Sequence, residues 1–209
     1  MLIHYLGFEG SVMAKKTGEK YQSIIEAAVK VIARYGYHQA QVSKIAKEAS
    51  VADGTIYLYF DNKDDILISL FKEKVGTFIN TARARIAPLE KAEDRLRELI
   101  YMHLWQMSQD RDLAIVTQIE TRQANPNLRA GIYEVLKHYL DLIDEVIFLG
   151  KEQGVFRPDI EHRVARKMIF GTLDEAVTSW VMNERNQNLV SLVDPIHNLF
   201  INGLKVAKQ

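Results

Sequence analysis

The sequence predicts an all-α protein, and three observations lead there. Apolar residues recur at three- and four-residue spacing along most of the 209 residues. Strict alternation of apolar and polar residues, the mark of a half-buried strand, is not a feature of any long stretch. Near the start, residues 42–60 read as a short helix, a tight turn and a second short helix, an arrangement that needs a helical scaffold to hold it.

In chain order, residues 1–12 are apolar without pattern, and Met13-Ala14-Lys15-Lys16 reads like a second start. Neither the basic leader nor the long apolar centre of a secretory signal is present. Residues 1–13 are expected to be an extension without fixed structure. They are not basic, as an arm reaching into a DNA groove would be. The first helix is predicted over 19–35, with Tyr21, Ile24, Ile25, Ala28, Val31, Ile32 and Tyr35 as its buried stripe and Gly36 as its stop.

Val42, Ile45, Ala46 and Ala49 mark one face of the next helix, which breaks at Ser50-Val51-Ala52. Asp53 is the expected N-cap of the helix after the turn. There Ile56 and Phe60 point inward, leaving Thr55, Tyr57 and Tyr59 facing out. Asn62 then caps a long helix in which Asp64 and Asp65 suit the positive end. Its apolar positions run from Ile66 to Ile86, stopping before Pro88. Over residues 63–85 it spans roughly 35 Å.

The rest reads as helices. Leu96, Leu99, Ile100, His103, Leu104 and Met107 mark one, with Tyr101 and Trp105 on a second apolar face that predicts a central position. Another covers 112–123. Asn125-Pro126 caps and starts a third that runs towards Gly150 and Gly154. Pro158-Asp159 is expected to open a fourth, carrying Val164 to Trp180. Polar residues 183–188 separate a last helix at 195–207.

The totals exclude some classes. Lys plus Arg equals Asp plus Glu at 27 each, so net charge does not demand a polyanionic partner. Between Lys15 and Lys63, eight cations face five anions, enough for a modest basic face. Cysteine is absent, which fits a reducing, cytoplasmic setting and removes thiolate chemistry. No run approaches the length of a membrane span, and no membrane partner is expected. An enzyme is not expected either: the chain has no Gly-rich phosphate loop, no His-Glu-x-x-His and no nucleophile elbow. The two Glu-x-x-His pairs of a di-iron bundle are also missing, so no metal or catalytic residue is assigned. His103, on an apolar face, reads as a hydrogen-bonded core or pocket residue.

Residues Ile45-Ala46, Val51, Gly54-Thr55-Ile56-Tyr57-Leu58-Tyr59-Phe60 and Asn62-Lys63 resemble the N-terminal domain of TetR/AcrR-type transcriptional repressors. The resemblance implies a three-helix helix-turn-helix head at 14–62 that binds double-stranded DNA. It also implies a ligand-binding and dimerising helical body at 63–209 and a homodimer paired through C-terminal helices. Carried over by position, Gly54 lets the backbone approach the duplex, and Thr55 donates to phosphate or a base edge. Tyr57 and Tyr59 offer hydroxyls to phosphates; Leu58 suits either a thymine methyl or partial burial. Lys63 at a helix start suits a phosphate. Gln41, Ser43 and Lys44, around the start of the first hairpin helix, complete the expected DNA set. Two departures stand out. Ala40 and Gln41 occupy places where the family often has Thr, and Ser50 sits where it prefers Gly.

Residues 39–47 in the head and 114–118, 122–123, 168–172 and 180–183 beyond it resemble the FadR-type branch, the repressors of fatty-acid degradation. That implies a long-chain acyl-CoA effector that releases DNA, and no cofactor. Trp105, Met107, Met168 and Phe170, with Met102, Leu104 and Trp180, are candidate walls for an acyl tail, though each also suits plain core. Arg122 is the candidate for the CoA phosphates and Gln118 its polar neighbour. The long helix 63–85 is then the natural lever between ligand and DNA. Three rivals remain: a repressor of the same family sensing another hydrophobic molecule, a helical lipid carrier, and a bundle enzyme.

Overall fold

The computed structural model describes residues 17–183 and 188–205. The expected extension 1–13, most of the polar linker and the end of the last helix lie outside the described residues. Among those described there are nine α-helices, one 3-10 turn and no strand beyond a single bridge between Phe156 and Lys205. None of the helices described is long and apolar enough to cross a membrane.

The helices are α1 (Glu19–Gln39), α2 (Val42–Glu48), α3 (Asp53–Ile56) and α4 (Lys63–Ile86). They continue as α5 (Ala92–Gln109), α6 (Arg111–Glu120), α7 (Pro126–Glu152), α8 (His162–Met182) and, after a 3-10 turn at Leu189–Leu192, α9 (Val193–Leu204). The chain divides into two compact units, a head ending at Phe71 and a body beginning at Lys72. The division falls inside α4 rather than ahead of Lys63.

In the head, Tyr21, Ile24, Ile25, Ala28, Val31 and Ile32 of α1 are buried together with Ile45, Ala46, Ile56, Phe60, Ile66, Leu67 and Leu70. Gly36 breaks α1 with φ 71 and ψ 156, and one more helical turn follows to Gln39. Tyr35, expected in the buried stripe, is 41% exposed. Ser50 adopts φ 56, the left-handed conformation that closes α2. Val51 N–H reaches the Ala46 carbonyl at 3.0 Å and Ser50 N–H the Lys47 carbonyl at 3.2 Å, the paired bonds of a Schellman ending. Asp53 is the first residue of α3, not its cap; Ala52 holds that place, and no side chain caps the helix. The start of α4 is better served. Asn62 Oδ1 accepts from Asp65 N–H at 2.9 Å, while the Asp65 carboxylate accepts from Asp61 N–H at 3.1 Å.

In the body, α5 contributes Leu96, Leu99, Ile100, Met102, His103, Leu104 and Met107 to the core, and packs on α6, α7, α8 and α9. Its second face is only half covered: Tyr101 is partly buried, with the Arg85 guanidinium of α4 5.8 Å from its ring centre, and Trp105 is 37% exposed. Asn125 caps α7 as expected, accepting from Asn127 N–H at 2.9 Å. The turn after α7 is locked by Gly150, where a Cβ would stand 2.0 Å from the Phe156 ring. α8 starts at His162, later than Pro158-Asp159 suggested, because Glu161 supplies the cap by accepting from Val164 N–H at 2.9 Å.

Candidate DNA-reading surface and effector site

The helix-turn-helix presents a small exposed surface. Tyr57 is 53% and Leu58 63% exposed, whereas Ile56 and Phe60 beside them are fully buried. Leu58 is therefore not a core residue of the head. Gln41, Ser43 and Gly54 are also exposed, and Thr55 is half-buried. A Cβ built on Gly54 would meet nothing within 4 Å, so nothing in the described fold requires a glycine there. Tyr59 is less available than expected, since it is half-buried and its ring lies 6.4 Å from that of Tyr21.

Two cations take unexpected positions. The Lys44 ammonium sits 4.0 Å from the centre of the Tyr35 ring, a cation–π contact that props it at the edge of α2. Lys63 is turned into the head. Its ammonium donates to the carbonyls of Tyr37 at 2.9 Å and His38 at 3.2 Å, and lies 4.4 Å from the Tyr37 ring centre. Asp64 accepts from the Tyr37 hydroxyl. Lys63 thus ties the end of α1 to the start of α4, a role the sequence did not reveal because the partners are backbone carbonyls 25 residues away or more.

In the body, the residues expected to meet an effector separate. Met107 is buried, and its sulfur lies 3.6 Å from the Thr117 hydroxyl, which also donates to the Leu113 and Ala114 carbonyls. Phe170 is half-buried, with its ring 6.2 Å from Tyr139. Trp105 lies at the surface. Met168 is 60% exposed, off the α8 stripe of buried Ala165, Ile169 and Leu173, so it does not wall the interior. With Gly171, Thr172 and Glu175 it lines an open groove.

Gln118 is buried, and its surroundings assign its amide: the NH2 group donates to Thr178 Oγ1 at 3.0 Å and to Asp174 Oδ1 at 2.9 Å. Arg122 follows one turn later. Its guanidinium is paired with Asp174 at 2.5 Å and also donates to the Gln118 carbonyl. Sequence reasoning brought Gln118 and Arg122 together but missed Asp174 and Thr178, which come from α8 and carry no local signal. His103 is buried against Tyr139, at 2.8 Å between Nδ1 and the hydroxyl, and burial pushes the imidazole down to about 4.

The model of the tetR family of bacterial regulatory proteins matches residues 24–70, and that of the YsiA-like C-terminal region matches residues 71–203. The chain belongs to the TetR family. Within it, the chain is 50% identical over 190 residues to the fatty acid metabolism regulator protein of Bacillus subtilis, covering 91% of this chain and 98% of that one. The structure of the fatty acid degradation regulator FadR from Bacillus halodurans superposes with a TM-score of 0.84 at 55% identity, over 88% of this chain and all of that one. That of Bacillus subtilis FadR in complex with stearoyl-CoA gives 0.85 at 51% identity, over 88% and 99%. As a TetR protein it is a transcriptional regulator and not an enzyme, which removes the carrier and bundle-enzyme readings.

Proposed function

We propose that this TetR protein represses genes of fatty-acid degradation and leaves its operator when a long-chain acyl-CoA enters the body. The observation that carries the reading is likeness across both units: half of all residues are shared with a fatty acid metabolism regulator along nearly its whole length. A relative of similar identity was crystallised with stearoyl-CoA.

On this reading Tyr57, Leu58, Thr55 and Gly54 meet the duplex, with Gln41, Ser43 and Lys44 on the phosphates. Tyr59 and Lys63 act mainly by holding the head in shape. The acyl tail lies among Met102, Met107 and Phe170, and Arg122 with Gln118 guards the entrance. An entering phosphate competes with Asp174 for Arg122, so effector binding and the link between α6 and α8 are coupled. The effector must prefer one arrangement of the heads, since equal affinity for both shifts nothing. α4, which starts in the head and ends in the body, is the element we assign to carry that preference.

Pairing of two copies through α7 and α8 is part of the proposal. It is supported by the exposed apolar residues of these helices: Tyr133, Phe148, Val164, Met168 and Met182 are each at least 48% exposed. Isothermal titration of the full chain with hexadecanoyl-CoA tests the effector directly. One site per protomer, with no heat from free CoA, is the expected result. Equal binding of both would show a nucleotide site without tail recognition and would defeat the fatty-acid reading.

A further inference from the structure

His103 is 5% exposed, and its Nδ1 stands 2.8 Å from the hydroxyl of Tyr139 on α7. The Phe78 ring from α4 meets the imidazole edge-on at 6.1 Å, and Phe170 from α8 packs against Tyr139. Four helices of the body thus each lend one ring to a cluster that is apolar except for this pair. The other ring nitrogen, Nε2, is buried and has no hydrogen-bond partner among the described residues.

The proton positions follow from counting donors. Burial pushes the imidazole down to about 4 and the Tyr139 phenol up, so both groups are neutral at pH 7. If Nδ1–H donated to Tyr139, the phenol hydrogen and the Nε2 lone pair would both lack partners. If Tyr139 donates to Nδ1, only the Nε2–H is left over. The second arrangement strands one group instead of two, and stranding a buried group is costly. The interior therefore holds an N–H donor with its partner unassigned. Thr117, buried beside Met107, does not compete for a ligand oxygen, because its hydroxyl hydrogen is directed at helix carbonyls.

We propose that the Nε2–H of His103 is a recognition point inside the body that donates a hydrogen bond to an oxygen of the effector's acyl group. Hydrocarbon walls with a single donor match a ligand that is hydrocarbon apart from one acceptor. That oxygen is the thioester carbonyl or a hydroxyl on the adjoining chain. The inference rests on the acyl-thioester reading above.

The test compares three effectors for release of the full-length protein from its own promoter DNA. They are hexadecanoyl-CoA, S-hexadecyl-CoA, a thioether without the carbonyl oxygen, and 3-hydroxyhexadecanoyl-CoA. Each is titrated against wild type, His103→Phe, and the double variant His103→Phe with Tyr139→Phe, which strands no phenol if the single variant folds poorly. Ratios between effectors within one protein cancel changes in stability or DNA affinity. If the carbonyl is the partner, hexadecanoyl-CoA surpasses the thioether by about threefold to tenfold in wild type, and the ratio falls to about one in the variants. If the hydroxyl is the partner, the hydroxyacyl thioester holds that advantage over hexadecanoyl-CoA in wild type and loses it in the variants. Ratios unchanged by both variants overturn the proposal and leave His103 a core residue. Wild type released by none of the three overturns the acyl-thioester reading as well.

Discussion

The ammonium of Lys63, at the first position of α4, lies 2.9 Å from the carbonyl oxygen of Tyr37 beyond the break in α1. The next residue, Asp64, takes the Tyr37 hydroxyl, so two consecutive residues of α4 hold one tyrosine. The Tyr37 carbonyl also accepts from Ala40 N–H at 3.2 Å, and a charged donor added to such a helix-end carbonyl is worth more than a neutral one. Lys63→Met is expected to destabilise the protein by about 1–2 kcal/mol. It should weaken operator binding while leaving the slope of affinity against salt unchanged. A phosphate ligand would behave differently, since its loss lowers that slope by about one. Thermal melts and a salt series on the same variant separate the two.

Gly54 gives the opposite dissociation. Open space surrounds its Cα, so Gly54→Ala is tolerated by the head and stabilises it by up to about 1 kcal/mol through backbone entropy. The added methyl should still reduce operator affinity at least several-fold, because it holds the duplex away from α3. Affinity equal to wild type in an electrophoretic shift assay would remove Gly54 from the interface.

Ser50 holds φ 56, a conformation that costs a residue with a Cβ about 1 kcal/mol against glycine. Ser50→Gly should raise the melting temperature by about 3 °C. Operator affinity should be unchanged, as the turn geometry is already fixed by the bonds from Val51 and Ser50. A melting point that stays level or falls would contradict this.

His103 sets an acid limit on stability. Its folded pKa, about 4, is below the ordinary 6.5, because burial disfavours the imidazolium. Above pH 6.5 it is neutral in both states and takes nothing from stability. As pH falls from 6.5 to 4 the unfolded chain binds the proton first, and stability declines by about 3 kcal/mol in all. Denaturant titrations of wild type and His103→Phe across this range should show the slope in the former and its reduction in the latter.

These predictions also mark what the sequence could convey. Ile45, Ala46, Ile56 and Phe60 announced their burial by spacing, and Gly36 and Asn62 announced helix ends by their own chemistry. Those are local signals. Ser50 was legible only through the resemblance, as a residue standing where the family prefers glycine. Asp53 and Pro158 misled because several residues near a turn can begin a helix, and the cap is decided by which one the chain geometry brings into reach.

The site was legible only where one element supplies it. Tyr57 and Leu58 lie in the turn that follows the short α3, and both are exposed as a reading surface needs. Arg122 was proposed from its own segment, but its ion-pair partner Asp174 is 52 residues away on another helix. Met168 looked like a tunnel wall because an apolar residue at helical spacing does not say which side of the helix is covered.

The central claim, that an acyl-CoA lifts this protein off DNA, is tested most directly by fluorescence anisotropy. A labelled duplex from the protein's own promoter is saturated with protein and titrated in parallel with hexadecanoyl-CoA and with free CoA. Loss of anisotropy with the acyl thioester, and none with CoA at the same concentrations, is predicted. A complex indifferent to both would leave a DNA-binding TetR regulator and contradict its proposed control by fatty acids.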